Sequence, residues 1–342
     1  MRNGGIGFIV AIAVLLSAPA GAASKSSDFD FADGVWKTHI RRTLHPFDAG
    51  SEVVELTGTK SMRRVWDGAH VEEIQADGPS GRWQGLTLFL FDPQTKQWTQ
   101  TFASSKSAML TASAAGGFKD GQGELYSTDT FEGRSILVRS LWSGIQPDSH
   151  RYEESYSDDG GRTWHVAFQA TLTRSTEPPL TAPPAPKAAR AFDFENARWK
   201  TRISRLMQPL SGKKDWAQYD ATTDIQPIWG GQGNIVHIVG DGPRGHLELM
   251  GIRLFQPSSG QWHLWFAHTQ GGLALPPLVG EVKGGQAALY DQEELEGRPV
   301  WVRISVKATG PDTVLSEQAF SADHGKTWET NFISRQTRAA AD

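Results

Sequence analysis

The sequence predicts an all-β chain built as two tandem antiparallel barrels, and three observations lead there. First, residues 157–174 read SDDGGRTWHVAFQATLTR and residues 321–338 read SADHGKTWETNFISRQTR, identical at 8 of 18 positions and offset by 164. Both carry S-x-D-x-G-x-T-W, in which the Asp carboxylate caps its own turn, the Gly supplies positive φ, and Thr-Trp starts a strand. Second, Phe29-Asp-Phe31-x-x-Gly34-x-Trp36-Lys-Thr38 returns as Phe192-Asp-Phe194-x-x-Ala197-x-Trp199-Lys-Thr201, so the repeat spans a whole domain. Third, 36 Gly, 13 Trp and 16 Phe accompany short alternating runs and few long helical patterns, as expected of strands joined by turns.

Taken in order, the first strand places Trp36, Thr38 and Ile40 on one face and Lys37, His39 and Arg41 on the other. Short strands follow at 52–60, 62–66 and 70–76. Asp77-Gly-Pro-x-Gly81, echoed by Asp241-Gly-Pro-x-Gly245, is a turn. Strands at 85–91, 97–103, 123–131, 134–142 and 150–157 complete the set, with one more closing the repeat. That makes roughly nine or ten strands in each of 29–174 and 192–338, spaced as in a meandering barrel or sandwich. Between the repeats, 175–190 holds five Pro in 16 residues and little to bury, and reads as a semi-rigid, protease-sensitive spacer.

Arg2, an apolar run over 6–16 and Ala20-x-Ala22 predict a signal peptide at 1–22 and a periplasmic or secreted product. That run is too short to cross a bilayer, and no later one approaches 18 residues, so membrane insertion is not expected. With no Cys there is no disulfide, and stability must come from the core. The net charge is −4 and the basic residues are scattered, which leaves nucleic-acid binding without an electrostatic basis.

The opening F-D-F-x-x-G-x-W and the closing S-x-D-x-G-x-T-W…T-R together resemble a group of bacterial lipocalin-like domains of unknown function, over both repeats nearly end to end. Phe91-Asp-Pro-x-Thr-x-x-Trp98 and Phe131-Glu-Gly-Arg134 share in the resemblance. It implies lipocalin-like (calycin-like) antiparallel barrels and carries no activity with it. It also implies that Trp36 is covered by Arg174, and Trp199 by Arg338, closing one end of each barrel. Repeat two has Ala197 where the signature has Gly.

Candidate chemistry is sparse. S-x-D-x-G-x-T-W is also the Asp-box of sialidase propellers, but blades would repeat it every ~40–60 residues rather than once in 164. Arg139 and Glu153 recur as Arg303 and Glu317. Hairpins centred on Gln146 and Gly310 would pair them across strands, as exposed ion pairs worth ~0.2–1 kcal/mol or as polar groups at a barrel mouth. Trp66 and Trp229 end matched strands beside Gly, where they serve either the core or a pocket rim. Ser104 against His268, and Gln84 against Glu248, are asymmetric candidates between the copies. The loop after His268 carries Leu273, Leu275 and Pro276-Pro277, which predicts an apolar lining for the second barrel and a lipophilic preference there. The alternative is a loop merely stiffened by proline. His263 and His268 fall on opposite strand faces, and no H-E-x-x-H or Asp-rich loop exists, so no metal site is expected. No G-x-S-x-G elbow or helix-opening phosphate loop appears, so no catalytic residue and no cofactor is expected.

The reading is therefore an exported protein that binds a small hydrophobic or amphipathic molecule in its barrels. The alternatives are an isomerase or hydrolase on the same scaffold, or a structural or protein-interaction module of the envelope with solid barrels. A titratable group buried in one cavity and absent from the matched position of the other would favour the enzyme.

Overall fold

A computed structural model describes residues 24–269 and 272–340, so the predicted signal peptide lies outside the described residues. Ten antiparallel strands close the first barrel: β1 (Gly34–Thr43), β2 (Val53–Trp66), β3 (Ala69–Gly78), β4 (Gly81–Asp92), β5 (Gln97–Ser104), β6 (Ala114–Lys119), β7 (Gln122–Phe131), β8 (Arg134–Gln146), β9 (Ser149–Ser157) and β10 (His165–Ser175). Each pairs with its neighbour, and β10 returns to β1 with Trp36 opposite Arg174. The second barrel repeats this with β11 (Arg198–Leu206), β12 (Trp216–Ile228), β13 (Gly233–Gly242), β14 (Gly245–Gln256) and β15 (Gln261–His268). A two-residue β16 (Gly272–Leu273) pairs with β15 outside the ring. β17 (Leu278–Lys283), β18 (Gln286–Leu295), β19 (Arg298–Gly310), β20 (Thr313–Ser321) and β21 (Glu329–Arg338) complete the circle, and the β14–β15 and β15–β17 ladders close it.

The expected strands at 52–60 and 62–66 form one long strand, β2, because nothing between them breaks the ladder to β1 and β3. β6 was not among the expected strands. Its Gly116 allows close approach, since a Cβ there would stand 2.1 Å from the Glu124 carbonyl oxygen.

The repeated turn works as the residues suggest. The Asp159 carboxylate accepts from the Thr163 and Arg162 amides and from the Ser157 and Thr163 hydroxyls, which holds it well below the usual carboxylate range. Asp323 does the same with Thr327 and Ser321. At the closed ends, the Arg174 guanidinium lies 4.2 Å from the Trp36 ring centroid and Arg338 lies 4.5 Å from that of Trp199. Gly34 stands at φ +106°, and a Cβ there would approach Arg174 Nη1 to 2.9 Å, so glycine makes room for the guanidinium.

Several strands are buried on both faces. In β4, Leu86, Leu88 and Leu90 point away from barrel one and meet Met250, Ile252 and Leu254 of β14, their own counterparts at an offset of 164. Trp66, Trp229 and Trp265 join this cluster, so the two barrels share a core built from the same face of each. The proline-rich segment is bound rather than free. The Leu180 amide donates to Thr59 Oγ1 at 2.7 Å, Gln75 Nε2 donates to the Leu180 carbonyl at 2.8 Å, and the Ala185 amide donates to the Gly230 carbonyl at 2.8 Å. The spacer expectation misses this because its partners are backbone groups and outward side chains of distant strands.

Candidate functional site

The interior of barrel one is hollow. A cavity of about 770 Å3 runs inward from a mouth framed by Arg42, Pro79 and Phe131. Its walls come from inward positions of every second residue: Ile74 on β3, Thr87 and Phe89 on β4, Gln100 and Phe102 on β5, Ser140 and Trp142 on β8. β9 contributes Tyr152, Glu154 and Tyr156, three inward polar groups in succession.

Two polar networks stand in this cavity. Near the closed end, Lys60 Nζ pairs with Glu72 Oε2 at 2.9 Å, both side chains nearly buried, and Thr87 Oγ1 lies 3.4 Å from Glu72 Oε1. Lys60 Nζ is also 3.4 Å from His150 Nε2. Burial, and then the charges of Lys60 and Arg174, push His150 down to about 2, so its imidazole stays neutral and accepts from the lysine. Farther up the wall, the Tyr156 hydroxyl donates to Glu154 Oε1 at 2.9 Å and the Tyr152 hydroxyl to Oε2 at 3.3 Å. Ser140 Oγ lies 3.1 Å from the same Tyr152 oxygen. Burial raises Glu154 above the usual carboxylate range, against the pull of its tyrosine hydrogen bonds, and raises both tyrosines as well.

The matched positions of barrel two hold other residues. Lys60 and Glu72 become Thr223 and Val236, Gln100 becomes Leu264, Ser140 becomes Ile304, and His150 becomes Val314. Tyr152, Glu154 and Tyr156 become Ser316, Gln318 and Phe320. Leu264, Val302, Ile304, Val306, Val314 and Phe320 pack there into one continuous apolar core. Apolar side chains thus occupy the inward positions at which barrel one presents polar groups to its cavity.

The sequence-predicted site residues lie elsewhere. Arg139 and Glu153 alternate with the cavity-lining Val138, Ser140 and Glu154, so they face outward, as do Arg303 and Glu317. The hairpin register also differs by two from that expected: Arg139 faces Ser155 and Arg303 faces Ala319, because the turns centre on Pro147-Asp148 and Pro311-Asp312 rather than on Gln146 and Gly310, and the bulge before each turn takes back only one residue of that shift. Arg139 still reaches Glu153 diagonally at 3.8 Å, and its guanidinium lies over Trp164; Arg303 lies over Trp328. Trp66 and Trp229 belong to the shared core between barrels, not to a mouth. Leu273 packs on that same core and Leu275 is exposed, so the β15–β17 loop runs toward barrel one instead of lining a pocket. His268 is exposed at the position matching Ser104, and Glu248 holds His237 at 2.9 Å on the outer face.

One further cluster joins Asp30, Asp33 and the fully buried His70 at the closed end of barrel one. His70 Nδ1 donates to Asp33 Oδ1 at 2.8 Å, and Arg64 is ion-paired with Asp30. Asn234 and Asn196 replace His70 and Asp33 in barrel two, so an amide pair stands at the same joint. The cluster ties the first strands to the 3-10 turn at Asp30–Ala32.

No protein-family model and no curated protein matches the chain. Among solved structures, a protein with unknown function from the DUF3598 family of Nostoc punctiforme aligns over 92% of this chain and 99% of its own, at 11% identity and a TM-score of 0.28. The S-type phycobiliprotein lyase CPES from Guillardia theta aligns over 46% of this chain and 96% of its own, at 12% identity and a TM-score of 0.32.

Proposed function

We propose that this is an exported protein whose first barrel binds a small amphipathic molecule, while its second barrel serves as a solid structural partner. One observation carries the reading. The same scaffold occurs twice, and a cavity of about 770 Å3 lies inside the first copy, lined by polar residues several of which the second copy replaces with packed apolar side chains. That volume suits a drug-sized ligand, and the mixture of aromatic and hydroxyl groups suits one with both apolar and polar parts. The predicted signal peptide supports export.

The test transplants barrel two into barrel one. Gln100→Leu with Ser140→Ile installs the residues found at 264 and 304 and fills the cavity. A lipophilic fluorescent probe should bind wild type saturably at one site and lose at least about tenfold in affinity in the double variant. Unchanged binding would place the ligand outside the barrel and refute the reading.

A titratable carboxylate on the cavity wall, Glu154, where the other barrel has Gln318, favours an enzyme as the second reading. Mass spectrometry of the co-purifying molecule before and after prolonged incubation separates the two. A carrier returns it unaltered, and an enzyme does not.

A further inference from the structure

We propose that barrel one selects cationic amphiphiles, seating a protonated amine against the Glu154 carboxylate and the apolar body among the aromatic rings of the wall. This rests on the reading that the cavity takes a ligand, and adds its charge.

The argument begins with what Glu154 lacks. Its carboxylate is held by two neutral hydroxyls, those of Tyr152 and Tyr156, and among the described residues no Lys, Arg or His forms an ion pair with it. A carboxylate offers about four acceptor positions, of which two are taken here. An ionised carboxylate buried without a cation is costly, and an incoming ammonium group removes that cost while donating up to three hydrogen bonds. The other charges in the cavity leave this site free. Lys60 is neutralised by Glu72 at 2.9 Å and is not available to oppose a second cation. Asp129 and Arg42 act on Glu154 with opposite signs. Arg42 and Lys106 are exposed at the rim, where solvent and salt screen them, and Arg82 is bound by Asp77 at 2.7 Å.

The surroundings fit the same ligand. Phe168 lies 6.0 Å from Tyr152, and Phe131 lies 5.3 Å from Tyr156, measured between ring centroids, so the tyrosines that hold the carboxylate sit among further aromatic rings, which suit both an apolar body and a cation. The second barrel supplies the control. At its matched positions the triad is Ser316, Gln318 and Phe320, with the charge and both phenols gone. A structural need for the carboxylate would apply equally to both copies.

The experiment measures binding of three probes that share one ten-carbon chain, namely decylammonium, decanol and decanoate, to the full chain by calorimetry. Decylammonium should bind at least about tenfold tighter than either of the others, and Glu154→Gln should abolish that margin. The wild-type protein gives an independent readout. Because burial raises Glu154, lowering the pH from about 8 to about 5 should weaken decylammonium and leave decanol flat, with His150 neutral throughout. Decanol or decanoate binding as tightly as the amine, or an amine affinity flat with pH, would overturn the charge assignment and spare the cavity reading. Saturable binding of none of the three would overturn both.

Discussion

The two barrels solve one folding problem with different interiors, and the contrast separates scaffold from site. Turn, Trp–Arg lid and outward apolar face recur in both, because each barrel needs a hairpin, a closed end and a surface to bury against its twin. The inward polar residues do not recur. Each barrel contains a buried pair of opposite charges, yet at unrelated places: Lys60 with Glu72 on the cavity wall of the first, and Arg253 with Glu195 beneath Phe192 at the closed end of the second. Phe89 stands where Arg253 does, packed 4.4 Å from Phe29. Neither pair is demanded by the barrel as such.

The sharpest way to break this comparison is to remove half of the first ion pair. Lys60→Thr leaves Glu72 buried without a cation, and unfolding in urea should show a loss of about 3–5 kcal/mol. Adding Glu72→Val completes the substitution to the residues of barrel two and should recover most of it. The recovery has a further source, since Thr38 Oγ1 has no partner whereas its counterpart Thr201 bonds Thr223 at 2.8 Å. A double variant no more stable than the single one would mean the pair is needed by the fold.

The shared core comes next. Leu88→Ala and Ile252→Ala, at matched positions on opposite sides of the seam, should each cost about 2–5 kcal/mol and lower a single thermal transition of the whole chain. Two calorimetric transitions, with each variant moving only its own, would make the barrels independent and reduce the seam to a contact. A smaller effect belongs to the lids. Arg174→Ala and Arg338→Ala should each cost about 1–3 kcal/mol by loss of guanidinium on indole and of bonds such as Arg174 Nη1 to the Asp33 carbonyl at 2.9 Å. Melting curves superimposable on wild type would remove any structural role for the lid.

Architecture was legible because its signals are local or duplicated: the Asp turn, the first-strand alternation, the Trp and Arg at constant spacing. The cavity was hidden for a physical reason. In an alternating strand, polar residues are read as solvent-facing, and Tyr152, Glu154 and Tyr156 of β9 look like a surface row until closure of the sheet turns that row inward. Leu86, Leu88 and Leu90 mislead in the opposite sense, reading as barrel interior when they form the seam. Comparing the two copies position by position would have flagged Lys60 against Thr223 and Glu154 against Gln318, had inward phase been assigned first.

The last and smallest effect sharpens the comparison on the outer face. Glu73 of β3 and His237 of β13 occupy matched outward positions. His237 is paired with Glu248 at 2.9 Å, whereas Glu73 borders a cavity of about 580 Å3 beneath the proline-rich strap, beside Gln75, Leu180 and Trp229. Burial pushes Glu73 up to about 7, with the Arg63 charge opposing. Its folded value thus exceeds its unfolded value near ~4.3, so its stabilising contribution is complete below pH ~4 and is lost as the pH rises to about 7. Glu73→Gln should match wild type at pH ~4 and exceed it by roughly 1–2 kcal/mol at pH ~8, a figure kept small because the side chain is only partly buried. Stability differences that are the same at both pH values would mean that the strap leaves Glu73 solvated.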